Sequence, residues 1–292
     1  MAEPSHLRQH AEAAAASLPA LLVAAERVAT TVAQGVHGRR RVGTGETFWQ
    51  FRQYQPGDAA SRVDWRESAK SQRLYVRETE WEAAQSVYLW RDASASMDYA
   101  STRSIETKRA RTDLLTLALA VLLVRGGERV ALLGSGQKPD WGRAVLDRMA
   151  LTIARGGAGP SLPTFEPLPR HAQLVLLGDL LSPLPEVNAL VGRFVAAGVK
   201  GHMLQILDPA EETLPFAGRV RFEGMESESP LLVSRVETVR EAYEERLKLH
   251  REGLAQIARG AGWSFGMHRT DRPPATALLA LYGALAPQEA WR

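Results

Sequence analysis

Ser86-Val87-Tyr88-Leu89-Trp90-Arg91 runs directly into Asp92-Ala93-Ser94-Ala95-Ser96-Met97-Asp98. The first six residues read as a strand, apolar on both sides, of the kind a doubly covered sheet requires. The next segment places a carboxylate and two hydroxyls at alternate positions, so an extended turn aims all three the same way. Oxygen-only ligands of this type suit Mg²⁺, Mn²⁺ or Ca²⁺ and not zinc. Asp and Ser also end strands and cap helices for purely structural reasons, so the pattern gains meaning from its position.

The downstream elements set that position. Thr107–Arg125 reads as a helix that is apolar nearly all round from Leu114, hence buried, and Gly126-Gly127 ends it. Val130–Leu133 reads as a strand, Trp141–Arg155 as an amphipathic helix, and 156–170 as a loop rich in Gly and Pro. Leu174–Leu177 is a third strand, running through Gly178 into Asp179, and Val187–Ala197 and Met203–Leu207 are the next helix and strand. Beyond them come a strand at Arg219–Phe222, a long helix from Arg235 to Arg259, a strand at Trp263–His268 and a closing helix at Ala275–Leu285. In the long helix Val236, Val239, Tyr243, Leu247, Leu254 and Ile257 repeat at helical spacing. Strands alternating with helices predict an α/β fold with a mostly parallel sheet covered on both faces. Ligands of such sheets bind beyond the carboxyl ends of strands, where Asp92 and Asp179 stand.

The segment before the first strand has another character. Residues 7–36 are Ala-rich and read as one or two helices. From Gly38 to Arg77 nine Lys or Arg face four acids, with aromatics and turn signals such as Pro56-Gly57-Asp58 between them. This reads as short strands and loops, an arm on the main sheet. The organisation expected is a helical segment at 1–37, a basic and aromatic arm at 38–82, and the α/β domain at 83–292.

The chain has 292 residues, 45% of them hydrophobic, a formal charge of +3 and no cysteine, which excludes disulfides and thiolate metal sites. The N-terminus lacks the pattern of a signal peptide, and the longest apolar run, Leu114–Val124, is too short to span a bilayer. A cytoplasmic protein is the expectation. There is no phosphate-binding G-x-x-x-x-G-K-[ST], no H-E-x-x-H and no G-x-S-x-G, and the seven histidines are scattered.

Asp92-x-Ser94-x-Ser96 resembles the metal-ion-dependent adhesion site of von Willebrand factor A domains. The upstream block is more specific: Gly43-Thr44-Gly45-Glu46, Phe51-Arg52-x-Tyr54-x-Pro56-Gly57-Asp58 and Arg62-x-x-Asp64-Trp65-x-x-Ser68-Ala69. Together these resemble the domain of unknown function 58 family, over roughly residues 35–207 and more loosely beyond. The resemblance implies a von Willebrand factor A-like fold of Rossmann type. It also implies a divalent cation (Mg²⁺, or Mn²⁺ or Ca²⁺) on Asp92, Ser94, Ser96 and Asp179, and a MoxR-type AAA+ ATPase or its client complex as partner. Two departures stand out. The threonine that an adhesion site takes from an intervening loop has no match in 156–170 beyond Ser161 and Thr164, which implies a weakly held ion with more water around it. Arg91 stands where an apolar strand residue is usual.

Arg52, Tyr54, Asp58, Arg62, Asp64 and Trp65 form either a recognition surface or an internal lock. The lock, with Arg/Asp pairs over packed Tyr54 and Trp65, is the expectation. The function expected is a non-enzymatic, protein-binding adaptor in the assembly or maturation of other proteins. The alternative is a metal-dependent hydrolase, a phosphatase or nuclease, with Asp98 as the base. Binding of nucleic acid through the basic arm is the weaker third reading, because acids are interleaved with its arginines.

Overall fold

The computed structural model describes residues 21–33, 48–54, 63–70, 73–79, 85–226 and 229–285. It divides into two compact units, one of residues 38–84 and one of residues 1–37 with 85–292. Of the upstream block, Gly43 to Glu46, Asp58, Arg62 and the side chain of Arg52 lie outside the described residues, as does the first half of the Ala-rich segment.

In the smaller unit β1 (Phe48–Gln53) pairs antiparallel with β2 (Tyr75–Thr79). Between them stands the short helix α2 (Trp65–Ser68), and Asp64 is its cap, accepting a hydrogen bond from the Glu67 amide at 2.9 Å. Ser68 is buried and its hydroxyl accepts from the Tyr75 amide at 2.8 Å, which ties the helix to β2. The expectation that Trp65 packs beneath the arm is corrected: as the first residue of α2 it turns outward and is 65% exposed.

The larger unit carries the parallel sheet. Its strands are β3 (Ser86–Arg91), β4 (Arg129–Leu132), β5 (Gln173–Gly178), β6 (Lys200–Leu207) and β9 (Ser264–Arg269), in the order β4-β3-β5-β6-β9 and all parallel. The chain leaves β3 for one edge, then returns past it to β5. Neighbouring strands β3 and β5 are therefore where the order reverses, and a crevice opens at such a point.

Alternation along the strands divides the core in two. Val87, Leu89, Val175, Leu177, Leu204 and Ile206 face one cluster. It holds the helix at 21–33 (α1), α3 (Lys108–Arg125), α4 (Arg143–Arg155) and α8 (Pro274–Leu285). Tyr88, Trp90, Leu174, Leu176 and Met203 face the other, with α5 (Leu184–Ala196) and α7 (Arg240–Gly260). α3 is sequestered from Leu114 to Leu123, as its unbroken apolar run demands.

Past β4 the chain turns back, Asp140 bridging Val130 antiparallel, and climbs α4 on the α3 side. The Gly/Pro-rich loop then crosses the carboxyl end of the sheet, because Leu162, Phe165 and Leu168 pack in the opposite cluster. On the way the Gly159 amide donates to the Ala93 carbonyl at 2.7 Å, so this loop touches the Asp-x-Ser-x-Ser segment directly.

The long helix starts later than its periodicity predicts. Val236 is buried in a 3-10 turn, and α7 begins at Arg240, whose guanidinium donates to the Leu214 and Phe216 carbonyls. The short helix α6 (Pro209–Thr213) and the hairpin of β7 (Val220–Phe222) with β8 (Leu231–Val233) complete the unit. Of these the hydropathy pattern predicts only β7. Among the described residues no helix is long and apolar enough to cross a membrane.

Candidate functional site

β3 ends at Arg91, and the Asp92 amide still donates to the Leu177 carbonyl of β5 at 2.8 Å. Asp92 is therefore held as one more rung of the sheet, opposite Gly178. Its Oδ1 accepts from the Ser94 amide at 2.8 Å and from the Ser94 hydroxyl at 2.6 Å. The Ser94 and Ser96 hydroxyl oxygens are 3.1 Å apart, and the Ser96 hydroxyl donates to Asp179 Oδ2 at 2.7 Å. Asp92, Ser94, Ser96 and Asp179 thus form one continuous chain of oxygens across the β3–β5 crevice. All four residues that the sequence nominates come together.

The chain of oxygens is closed off from water on its inner side. Asp92 is fully buried and Asp179 is 2% exposed. Asp92 Oδ2 is buried without a hydrogen-bond partner, a costly state for a carboxylate oxygen. Burial pushes the Asp92 carboxyl up to about 7. The bonds from Ser94 work against that rise, and the nearby Asp179 and Glu226 carboxylates add to it.

Four residues that the sequence does not single out complete the site: Lys108, Glu211, Arg109 and Glu226. Lys108, the first residue of α3, is entirely buried and its ammonium donates to Asp179 Oδ2 at 3.0 Å and to Glu211 Oε1 at 2.6 Å. Burial disfavours its charge, but Asp179 and Glu211 outweigh burial and raise its pKa above the ordinary lysine value. Arg109 clamps the loop from outside. Its guanidinium donates to the Ala93 and Ser94 carbonyls at 3.0 Å each and pairs with Asp98. Glu226, on the turn after β7, brings Oε1 to 3.4 Å from the Ser96 amide. One signal for Lys108 was available: a lysine directly after the N-cap Thr107 opposes the helix dipole, so a cation there implies acids to hold it.

Ser161 and Thr164 are not brought in. Ser161 accepts from the Ser182 hydroxyl at 3.2 Å, and Thr164 is exposed on the wall of a groove of about 510 Å³ beside the loop. Trp90, Ala93, Leu133, Pro163, Phe165 and Glu166 also line this groove. Alternation does not point Arg91 away from the core: it stays on the α3 face with Val87 and Leu89, where its charge is met by Asp113 of α3 at 3.0 Å. A Cβ on Gly156 would come within 2.5 Å of Arg91 Nη2 and 3.2 Å of the Thr152 carbonyl.

As a donor set, two carboxylates and two hydroxyls fit a hard divalent cation, and the orphaned Asp92 Oδ2 is an oxygen such an ion would satisfy. Among the described residues no group of three or more His, Cys, Asp or Glu is placed to hold a metal, so the hydroxyls and water would complete the shell.

Fold and site define a parallel α/β domain with a hard-oxygen cluster at its topological switch point. The chain belongs to the family described as Protein of unknown function DUF58, whose model matches residues 50–253. An uncharacterized protein of Mycobacterium tuberculosis is 29% identical over 274 residues, covering 88% of this chain and 85% of that protein, and one of Mycobacterium bovis is equally similar. Among solved structures, an aerotolerance-related membrane protein from Bacteroides fragilis is 14% identical with a TM-score of 0.40, covering 69% of this chain and 98% of its own. The conserved hypothetical protein BatB from Bacteroides thetaiotaomicron is 10% identical with a TM-score of 0.38, covering 68% and 98%.

Proposed function

We propose that this protein is a non-enzymatic, von Willebrand factor A-like adaptor that works in the cytoplasm and recognises a protein partner at the carboxyl end of its sheet. The observation that carries this reading is the oxygen chain Asp92–Ser94–Ser96–Asp179, gathered at the switch point beside an open groove. Asp92, Ser94, Ser96 and Asp179 would hold a divalent cation (Mg²⁺, Mn²⁺ or Ca²⁺) of the adhesion type. When bound, that ion supplies open coordination positions to an acidic side chain of the partner. The groove beside Ala93 receives the partner residues that flank this acid. By family resemblance the partner is a MoxR-type AAA+ ATPase or its client complex.

The hydrolase alternative needs a base near the cluster. Asp98 is committed to Arg109, whose hydrogen bond holds the Asp98 carboxyl below its ordinary range, and a carboxylate so stabilised is a poor proton acceptor. The experiment is a pull-down of the MoxR-type ATPase of the same organism by the full chain, with Mg²⁺ and with EDTA. Capture should be lost with EDTA and with Asp92→Ala, provided that the variant keeps its circular dichroism spectrum. Equal capture under all three conditions overturns the reading.

A further inference from the structure

We infer that Lys108 is the resident cation of the strand-end site, balancing Asp179 without a metal and competing with any divalent ion that enters. The inference rests on the cluster and not on the identity of the partner.

The end of β5 and the first turn of α6 bring Asp179, which is buried, and Glu211, which is mostly so, to one ammonium, and a cation between two such carboxylates relieves their repulsion. Lys108 supplies it from a fully buried position. The attachment is firm at both ends of the side chain. The backbone of Lys108 opens α3 behind the Thr107 cap and donates to the Tyr99 carbonyl at 3.1 Å. Glu211 is itself fixed by the capping box of α6, where its Oε2 accepts from the Asp208 amide at 2.9 Å.

Asp179 Oδ2 is the shared atom. It accepts from both the Ser96 hydroxyl and the Lys108 ammonium, so the oxygen a divalent ion would take already has two donors. An incoming ion has to displace the ammonium from Asp179, and Glu211, at 2.6 Å, is the acid that can keep it. The lysine therefore does two things. It lets the domain fold with the cluster assembled in the absence of metal, and it lowers the affinity for one.

The test uses the full chain and Lys108→Met, which keeps an unbranched side chain only one atom shorter and removes the charge. Thermal unfolding is followed by circular dichroism in EDTA and in Mn²⁺, and Mn²⁺ binding is read from the electron paramagnetic resonance signal of the free ion. The parent chain should unfold cooperatively in EDTA and gain less from Mn²⁺ than the variant does, because the ammonium opposes the ion. Lys108→Met should melt lower in EDTA, recover with Mn²⁺, and bind Mn²⁺ at least about tenfold more tightly than the parent. Adding Asp179→Asn should remove the recovery and the gain in affinity. If Lys108→Met does not fold, Lys108→Met with Glu211→Gln removes one acid together with the base and carries the same comparison. Equal Mn²⁺ affinity in parent and variant overturns the inference, as does a parent chain that does not fold in EDTA. Neither readout involves a partner, so a failed pull-down with a successful Mn²⁺ comparison rejects the adaptor reading alone.

Discussion

Asp92 lies against Gly178, the residue opposite it on the neighbouring strand: a Cβ on Gly178 would stand 2.6 Å from the Asp92 Cβ and 2.9 Å from its Oδ2. The glycine at the end of β5 is thus part of the site. It leaves room for the first carboxylate to turn into the crevice, where Ser94 and the oxygen chain hold it. Gly178→Ala should push Asp92 out of register with Ser94, and neither backbone can move without breaking the bond from the Asp92 amide to Leu177. A loss of about 1–3 kcal/mol is expected from chemical denaturation, as for other overpacked sites. A denaturation midpoint equal to that of the parent would show that the crevice is looser than the contact distances require.

The orphaned oxygen leads to a second expectation. Asp92 has a carboxyl raised to about 7 by burial, against an ordinary value of 3.8, so the folded state holds its proton more tightly than the unfolded chain does. For an acid shifted upward, the contribution to stability is complete below about pH 4, declines as pH rises toward 7, and is flat above. The shift corresponds to at most about 4 kcal/mol. Asp92→Asn cannot ionise and should be more stable than the parent above neutral pH, with the difference closing toward pH 4. Urea midpoints at about pH 5 and about pH 8, both in EDTA, measure this. Parallel pH profiles for the two proteins would reject it.

Arg109 gives the third. Its guanidinium is the donor for two adjacent carbonyls of the Asp-x-Ser-x-Ser loop, Ala93 and Ser94, and also holds Asp98. In Arg109→Met those carbonyls lose a charged donor, at an expected cost of about 1–3 kcal/mol. The Ser94 and Met97 amides should then exchange hydrogen faster than the amides of β3. Unchanged exchange across residues 93–98 would mean that the bonds between Asp92 and Ser94 suffice to order the loop.

Much of this architecture was legible in the sequence, and the parts that were not share a physical cause. Runs such as Leu174–Leu177 and the apolar α3 announce themselves because burial on both faces demands unbroken hydrophobicity. Asp92, Ser94, Ser96 and Asp179 were legible because they stand directly beyond strand ends. Apart from the unfavourable charge of Lys108 at a helix start, Lys108 and Glu211 were not, since their pairing arises only when the end of β5 and the starts of α3 and α6 meet. β8 carries Leu231 and Leu232 exposed, so burial leaves no alternating pattern to read there. Trp65 misled for the converse reason: an aromatic beside an acid suggests packing, and here the acid is a cap and the aromatic faces outward.

Two histidines outside the site should oppose Asp92 on acidification. His202 on β6 is buried, with Nδ1 2.7 Å from the Ser264 hydroxyl, and burial lowers its pKa to about 4. His268 on β9 is also buried, and burial together with the Arg111 guanidinium lowers it to about 4, with Asp271 opposing. Arg111 Nη1 lies 3.0 Å from His268 Nε2, and a guanidinium can only donate, so Nε2 is the accepting nitrogen and the neutral ring carries its proton on Nδ1. A proton added to Nε2 would face that donor directly. For a histidine shifted downward the contribution to stability is complete above about pH 6.5 and is lost as pH falls toward 4, at most about 3 kcal/mol for each ring. Over that interval Asp92 changes stability in the opposite direction, so the parent chain should show a shallow profile that conceals both. In the Asp92→Asn background the loss on acidification should deepen, although Asp113, raised to about 6 by burial, still works against it. Replacing His268 by Gln should remove close to half of the histidine contribution. An acid profile that His268→Gln leaves unchanged would place the loss elsewhere, because no other change in that comparison touches a titrating group of β9.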